Sequence, residues 1–173
     1  MNGRQPRRLP VAALATVATL AAAACVGPLA PGPSPRIGDH WHASLAVNLC
    51  GVGSPPLADF QGAIDTHGDG VIHIHPRVPA DQGKGARLVN FFANAGGVLS
   101  ERLVQMPGQA PWQDGNVCPG GLPGRIIVVV NDSPLTGEVE DYVPRDGDRI
   151  VVAFVPAAGV LPVSPPAPSP VAD

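Results

Sequence analysis

The sequence predicts a two-layer α+β domain, in which one helix packs against a sheet of four to five strands. Apolar residues that alternate or run together indicate strands at 40–50, 71–75, 125–131 and 149–155. One segment, 84–95, repeats its apolar residues at helical spacing. The order strand, strand, helix, strand, strand favours a β-grasp (ubiquitin-like) arrangement with an antiparallel-to-mixed sheet, and a small β-sandwich with an incidental helix is the alternative.

The first two predicted strands each carry an apolar face and a histidine face. In 40–50, alternation places Trp41 and Ala43 on the apolar face and His40 and His42 on the other. The second strand follows a Gly-Asp-Gly turn signal and ends before a proline. It points Ile72 and Ile74 inward, and Val71, His73 and His75 outward. Both strands are therefore predicted to be half-buried.

The remaining elements follow in order along the chain. In the predicted helix the apolar positions are Leu88, Phe91, Phe92 and Ala95, and two glycines follow. The segment 104–124 is rich in glycine and proline and is predicted to be a long loop. The strand at 125–131 is apolar on both faces, which is typical of an interior position.

The N-terminal segment predicts export. Three arginines precede the apolar stretch 11–24, which ends in small residues, as in a secretory signal peptide over 1–24. Cys25 follows directly and opens a proline-rich linker to residue 36, which resembles a lipoprotein signal with Cys25 as the lipidated residue. A twin-arginine signal, or a cleaved signal that leaves a soluble protein, is the alternative. We expect a protein at the extracytoplasmic face of the membrane, held by its N-terminal lipid, or secreted.

Composition limits the other classes of function. The chain of 173 residues is 14% charged, with a formal net charge of -3. Removal of 1–24 takes away three arginines and no acid, which leaves a charge of -6. Neither value favours nucleic-acid binding, which needs clustered lysine and arginine. The predicted histidine-rich domain spans 37–155, and the proline-rich segment 156–173 is predicted to be a disordered tail.

The cysteines predict one disulfide bond. If Cys25 carries a lipid, Cys50 and Cys118 remain, and thiols tend to pair in an oxidising compartment. In the chain-entropy model such a bond stabilises the fold by roughly 4 kcal/mol. A cysteine-based metal site is the weaker alternative, because neither residue has a partner at ligand spacing.

The five histidines all lie between positions 40 and 75. If the first two strands form a hairpin, His40 and His42 lie across from His73 and His75, with opposed Cβ atoms about 4.5–5.5 Å apart. Neutral imidazole is the commonest metal ligand, and paired strands can supply three or four such ligands. The sequence therefore predicts a metal site on this face.

Three further residues surround the predicted site. His67 lies just before the second strand and either folds back to the metal or is a turn residue. Asp65 and Asp69 are candidate metal ligands or hydrogen-bond acceptors for the ligating imidazoles, since a ligating imidazole usually donates its other N–H to a carboxylate. Turn chemistry beside glycine is the alternative for both acids.

Nitrogen ligands favour Zn²⁺ or Cu²⁺, and the scarcity of methionine and free cysteine argues against a Cu(I) site. We expect a metal-binding domain that binds, buffers or delivers its ion. The alternatives are a metal-dependent enzyme of unknown reaction and a non-metal, pH-responsive contact module of the cell envelope. Motifs for nucleophilic catalysis or phosphate binding do not occur in the sequence. The sequence indicates no protein partner and no catalytic residue.

Four motifs carry a resemblance to a known family: His-Trp-His-Ala, Thr-His-Gly-Asp-Gly-Val-Ile-His-Ile-His, Leu-Val-Asn-Phe-Phe and Asp-Gly-Asp-Arg-Ile-Val-Val-Ala-Phe. Over about 37–155 the chain resembles an uncharacterised family of exported or membrane-anchored actinobacterial and archaeal proteins. The family has His-Thr-His where this chain has Asp65, Thr66 and His67. The resemblance implies export and the domain limits, and it implies no reaction.

Overall fold

The computed structural model describes residues 3, 34–156, 159 and 162–168. The chain divides into two units, Met1–Gly32 and Pro33–Asp173, and the fold described below belongs to the second. The predicted signal peptide and Cys25 lie outside the described residues. Within the described part of the chain, no helix is both long enough and apolar enough to cross a membrane.

The described residues form a mixed α+β domain that is mostly sheet, with one α-helix, α1, at Leu88–Asn94. Short 3₁₀ turns lie at Pro79–Asp81, Gly83–Ala86 and Val139–Asp141. The strands are β1 Trp41–Leu49, β2 Val52–Gly53, β3 Ile64–Asp65, β4 Val71–Ile74, β5 Val98–Ser100, β6 Leu103–Gln105, β7 Trp112–Gln113, β8 Gly124–Val130, β9 Ser133–Pro134 and β10 Arg149–Pro156.

The larger sheet has the order β3-β4-β1-β10-β8-β9, and β2 also pairs with β1. Strand β1 is antiparallel to β4, with His42 directly opposite His73. It is parallel to β10, which is antiparallel to β8. The predicted pairing of the two histidine strands is therefore confirmed, and so is the final strand beside the first.

The core lies between this sheet and the helix. Leu88, Phe91 and Phe92 are the buried residues of α1. They pack in one apolar cluster with the β4 residues Ile72 and Ile74, which were predicted to point inward. The apolar spacing thus predicted which face of the helix is buried, because residues at i, i+3 and i+4 share one side of a helix.

The opposite face of the sheet is polar at one end and apolar at the other. The histidines of β1 and β4 lie at the polar end. A second, smaller apolar cluster covers β8 and β10 on this face; its buried members are Val129, Val151, Ala153 and Val155. The helix and the histidines are consequently on opposite sides of β1 and β4.

Three features differ from the sequence prediction. The sheet is larger than four to five strands, because the two-residue strands β2, β3 and β9 extend it. The predicted loop 104–124 includes residues of β6 and β7, which form a separate three-stranded sheet with β5. The helix begins at Leu88 rather than at 84, since residues 83–86 form a 3₁₀ turn. Periodicity does not detect two-residue strands.

Two contacts bring distant parts of the chain together. The predicted disulfide between Cys50 and Cys118 is present, with Cα atoms 5.5 Å apart. In the predicted tail, the described residues 162–168 contact the domain. Ser164 is buried there and exchanges hydrogen bonds with Asp132.

Candidate metal centre

Three histidines converge where β1 begins and β4 ends. His40, His42 and His73 each offer a ring nitrogen such that the three atoms lie within 4.8 Å of one another. The ring centroids of His42 are 4.8 Å from those of both His40 and His73. Nitrogens bound to one tetrahedral Zn²⁺ lie about 3.3 Å apart, given bonds of about 2.0–2.1 Å. Small side-chain rotations would therefore bring the three onto one ion.

His73 is buried, although its side chain lies on the sheet face predicted for it, opposite the apolar core. Only 1% of its surface is exposed. The His67 ring stacks on it, with centroids 4.2 Å apart, and Asp65 of β3 is its neighbour in the register. The sequence did not indicate that β3 extends the sheet at this point, so solvent was expected where these side chains lie.

The buried ring nitrogens of His42 and His73 are poorly satisfied by the residues that the structure describes. Among the described residues, no hydrogen-bond partner is found for His42 Nε2 or for either ring nitrogen of His73. An unpaired buried polar atom is costly, and native structures hold few of them. The arrangement fits a metal ion, which would accept the nitrogen lone pairs.

The surroundings of His73 favour its neutral imidazole. Burial lowers the pKa of His73 below its ordinary value, and the neighbouring His67 and His42 lower it further. Asp69 and Asp65 act in the opposite direction but do not offset these effects. A neutral imidazole retains the lone pair that a metal needs.

His75 does not join the group of three. Its Nε2 lies 3.1 Å from the carbonyl oxygen of Gly62 and 3.3 Å from Asp65 Oδ2. Asp65 is fully buried and also accepts a hydrogen bond from the Gly62 N–H. The carboxylate predicted to support the site therefore lies beside His75, which is outside the group of three. Burial lowers the pKa of His75 as well.

His67 and Asp69 lie at the edge of the group. His67 is exposed and contacts His73 by stacking rather than within the three-histidine group. Asp69 Oδ2 is 3.7 Å from His73 Nε2, which is too long for a hydrogen bond. The other Asp69 oxygen accepts from the Val71 N–H and the Thr66 hydroxyl, so turn chemistry is present as well. Burial would raise the pKa of Asp69, but these hydrogen bonds and the charge of His73 lower it.

The loop before β10 also contributes, and the sequence analysis did not assign it to the site. Asp146 Oδ1 accepts a hydrogen bond from the His42 N–H at 2.9 Å, and the Gly147 N–H donates to the His42 carbonyl. This loop fixes the backbone that carries His42. The Asp-Gly turn signal was visible in the sequence, but its position beside β1 depends on the parallel pairing of β1 with β10.

The three imidazoles form a nitrogen-only donor set. Of the cysteines, Cys50 and Cys118 are joined in the disulfide and supply no thiolate. Three histidines leave one position of a tetrahedral ion open, and such donors suit Zn²⁺ or Cu²⁺. Comparison of the chain with protein-family models, curated proteins and solved structures gave no match.

Proposed function

We propose that this protein binds one divalent metal ion, Zn²⁺ or Cu²⁺, through His40, His42 and His73. The observation that carries the proposal is the buried His73 ring, whose nitrogens have no hydrogen-bond partner among the described residues, while two further imidazoles lie beside it. Burial of such a ring is unfavourable without a ligand, and a shared metal ion supplies one. His67 and His75, which the sequence also predicted as ligands, flank this group and are not part of the proposed ligand set.

The type of ligand favours Zn²⁺ and Cu²⁺ over other metals. Imidazole suits both ions, and Cu²⁺ binds more tightly at equal availability. Mg²⁺ and Ca²⁺ prefer oxygen ligands, which the three-histidine group does not offer. We therefore assign the protein to metal binding, buffering or delivery rather than to a specific reaction.

We further propose that the protein acts in the cell envelope, anchored by a lipid on Cys25. The basic and apolar pattern of 1–24 supports export, and so does the resemblance to exported or membrane-anchored proteins. The disulfide between Cys50 and Cys118 supports an oxidising compartment. Mass spectrometry of the protein from a membrane fraction tests the anchor: we expect a lipid-modified N-terminus that Cys25→Ala abolishes, and an unmodified residue 25 would refute it.

A β-grasp assignment is part of the same proposal. Support comes from the strand order β4-β1-β10-β8, in which a parallel central pair lies between two antiparallel pairs. The helix lies between β4 and β8 in the chain and packs on one face of the sheet.

The metal proposal is tested by titration of a protein without a histidine tag. After removal of metal with a chelator, Zn²⁺ and Cu²⁺ are added separately in a calorimeter. We expect about one ion per chain for at least one metal, and loss of this binding when His42 and His73 are both replaced by alanine.

The matched control is His67→Ala, which removes an exposed imidazole from the same surface and should retain binding. If neither metal binds at this stoichiometry, or if the double variant binds as the wild type does, the proposal is wrong. The histidine face would then be a contact surface without metal.

A further inference from the structure

Ser164 fixes the described part of the C-terminal segment to the domain. The hydroxyl oxygen of Ser164 accepts from the Asp132 N–H at 2.9 Å, and the Ser164 N–H donates to Asp132 Oδ1 at 3.2 Å. Asp132 is itself paired with Arg149 at the start of β10. These contacts position the residues that follow Ser164.

Residues 165–168 then lie along an apolar groove at the edge of β1. Strand β4 pairs with β1 as far as Ser44, and β2 pairs with it from Asn48. A cavity of about 500 Å³ opens beside the interval between these two pairings. Its apolar lining includes Leu45, Val47, Pro55, Pro56, Leu57 and Phe91.

The groove contacts the segment in two ways that are typical of sites for proline-rich chains, through apolar side chains and through a hydrogen bond to a backbone carbonyl. Residues 165–168 read Pro-Pro-Ala-Pro and line the cavity. The Ser44 hydroxyl donates a 2.7 Å hydrogen bond to the carbonyl oxygen of Pro166. Proline-rich segments have no internal hydrogen bonds, so their carbonyls are available, and they dock in aromatic-lined apolar grooves with little loss of entropy.

The segment lines the cavity without filling it. The open volume of about 500 Å³ is within the range of pockets that hold a ligand. Between its prolines the segment presents only the small side chain of Ala167. A chain with a larger aliphatic residue at that position would bury more apolar surface, so the intramolecular contact is replaceable.

We propose that this groove is a docking site for an extended, proline-rich segment of a partner protein. Residues 165–168 occupy it intramolecularly until the partner displaces them. The inference goes beyond metal binding and does not depend on it, since the groove and the three-histidine group share no residue.

The test uses the full mature chain and two labelled peptides, one with the sequence of residues 163–170 and one with leucine in place of Ala167. Binding is followed by fluorescence anisotropy. In a variant of the chain, called the host variant, Pro165, Pro166 and Pro168 are all replaced by glycine, which removes the proline side chains from the groove, weakens the intramolecular contact and retains the Ser164 anchor. We expect this variant to bind the first peptide at least about tenfold more tightly than the wild type. The leucine peptide should bind more than about tenfold more tightly again.

Two further variants locate the peptide in the groove. Ser44→Ala in the host variant should weaken binding by about two- to tenfold, because one hydrogen bond is lost. Ser164→Pro in the wild-type chain, which releases the anchor instead, should also increase affinity. The proposal is overturned if neither peptide binds the host variant at millimolar concentration, or if a peptide with its prolines replaced by alanine binds equally well. Metal titration of the host variant separates this outcome from failure of the metal proposal.

Discussion

The two His-x-His pairs of this protein have the same spacing, but both histidines of one pair and only one histidine of the other belong to the three-histidine group. His40, just before β1, and His42 in β1 both belong to the group that could hold a metal. His73 in β4 belongs to it as well, but His75, just after β4, contacts the Gly62 carbonyl and Asp65. The difference arises from the neighbouring strand, because β3 brings a buried carboxylate next to β4. Spacing places two imidazoles on one face, and the residues around them decide which of the two is available.

The largest effect expected from this comparison is a difference in metal affinity between the alanine variants of His73 and His75. His73→Ala removes a ligand of the proposed ion and should weaken metal affinity by more than about 100-fold. Loss of a residue that only hydrogen-bonds a ligand typically weakens affinity by about 10- to 100-fold. His75→Ala removes an imidazole two positions away, with its nitrogen engaged elsewhere, and should change affinity by less than about threefold. Calorimetric titration of the tag-free proteins measures both.

Circular dichroism of the metal-free proteins is the control for this pair, because removal of the buried His73 side chain also leaves a cavity. If both variants fold and lose affinity equally, the proposal that His73 is a ligand and His75 is not would be wrong.

A second substitution, Asp65→Asn, should make His75 available to the metal, as both histidines of the other pair already are. In Asp65→Asn, an amide of the same size retains an acceptor for the Gly62 N–H but holds His75 less strongly. We expect metal affinity to rise by up to about tenfold as His75 becomes available as a further ligand. In that background His75→Ala should then reduce affinity, a coupling that a double-mutant cycle measures. Additive effects would show that Asp65 does not control His75.

His73 and His75 are nevertheless alike in their response to pH. Burial lowers the pKa of His73 and of His75 below the ordinary value of 6.5. The unfolded chain therefore takes up protons near that pH while the folded chain does not, so the free energy of unfolding falls as the pH drops below 6.5. Carboxylates with lowered pKa, such as Asp69, add their effect only at more acidic pH.

Urea denaturation of the metal-free protein between pH 8 and pH 5 tests this response. Replacement of both histidines by glutamine should flatten the dependence below about pH 6.5, and each single replacement should flatten it in part. An unchanged slope in the double variant would assign the dependence to other groups.

The sequence predicted those parts of the site that depend on local pattern. Alternation placed His42 and His73 on one face, and the hairpin pairing of their strands brought them together. The burial of His73 was not predicted, because it depends on the two-residue strand β3 and on the stacked His67 ring. The position of residues 162–168 was also missed, since a proline-rich segment has no periodicity and its hydrogen bonds to Ser44 and Asp132 join residues far apart in the chain.

The smallest effect expected at the site concerns Asp146, which lies 104 residues from His42 in the chain and accepts a hydrogen bond from its N–H. Asp146→Ala should weaken metal affinity by about two- to tenfold, because one backbone hydrogen bond that positions the imidazole is lost. Asp146→Asn retains an acceptor and should bind nearly as well as the wild type. The two variants remove the same charge, so a loss of affinity confined to alanine attributes the effect to the hydrogen bond. An equal loss of metal affinity in both variants would attribute the effect to the charge of Asp146. The position of His42 would then depend on the pairing of β1 with its neighbouring strands and not on this hydrogen bond.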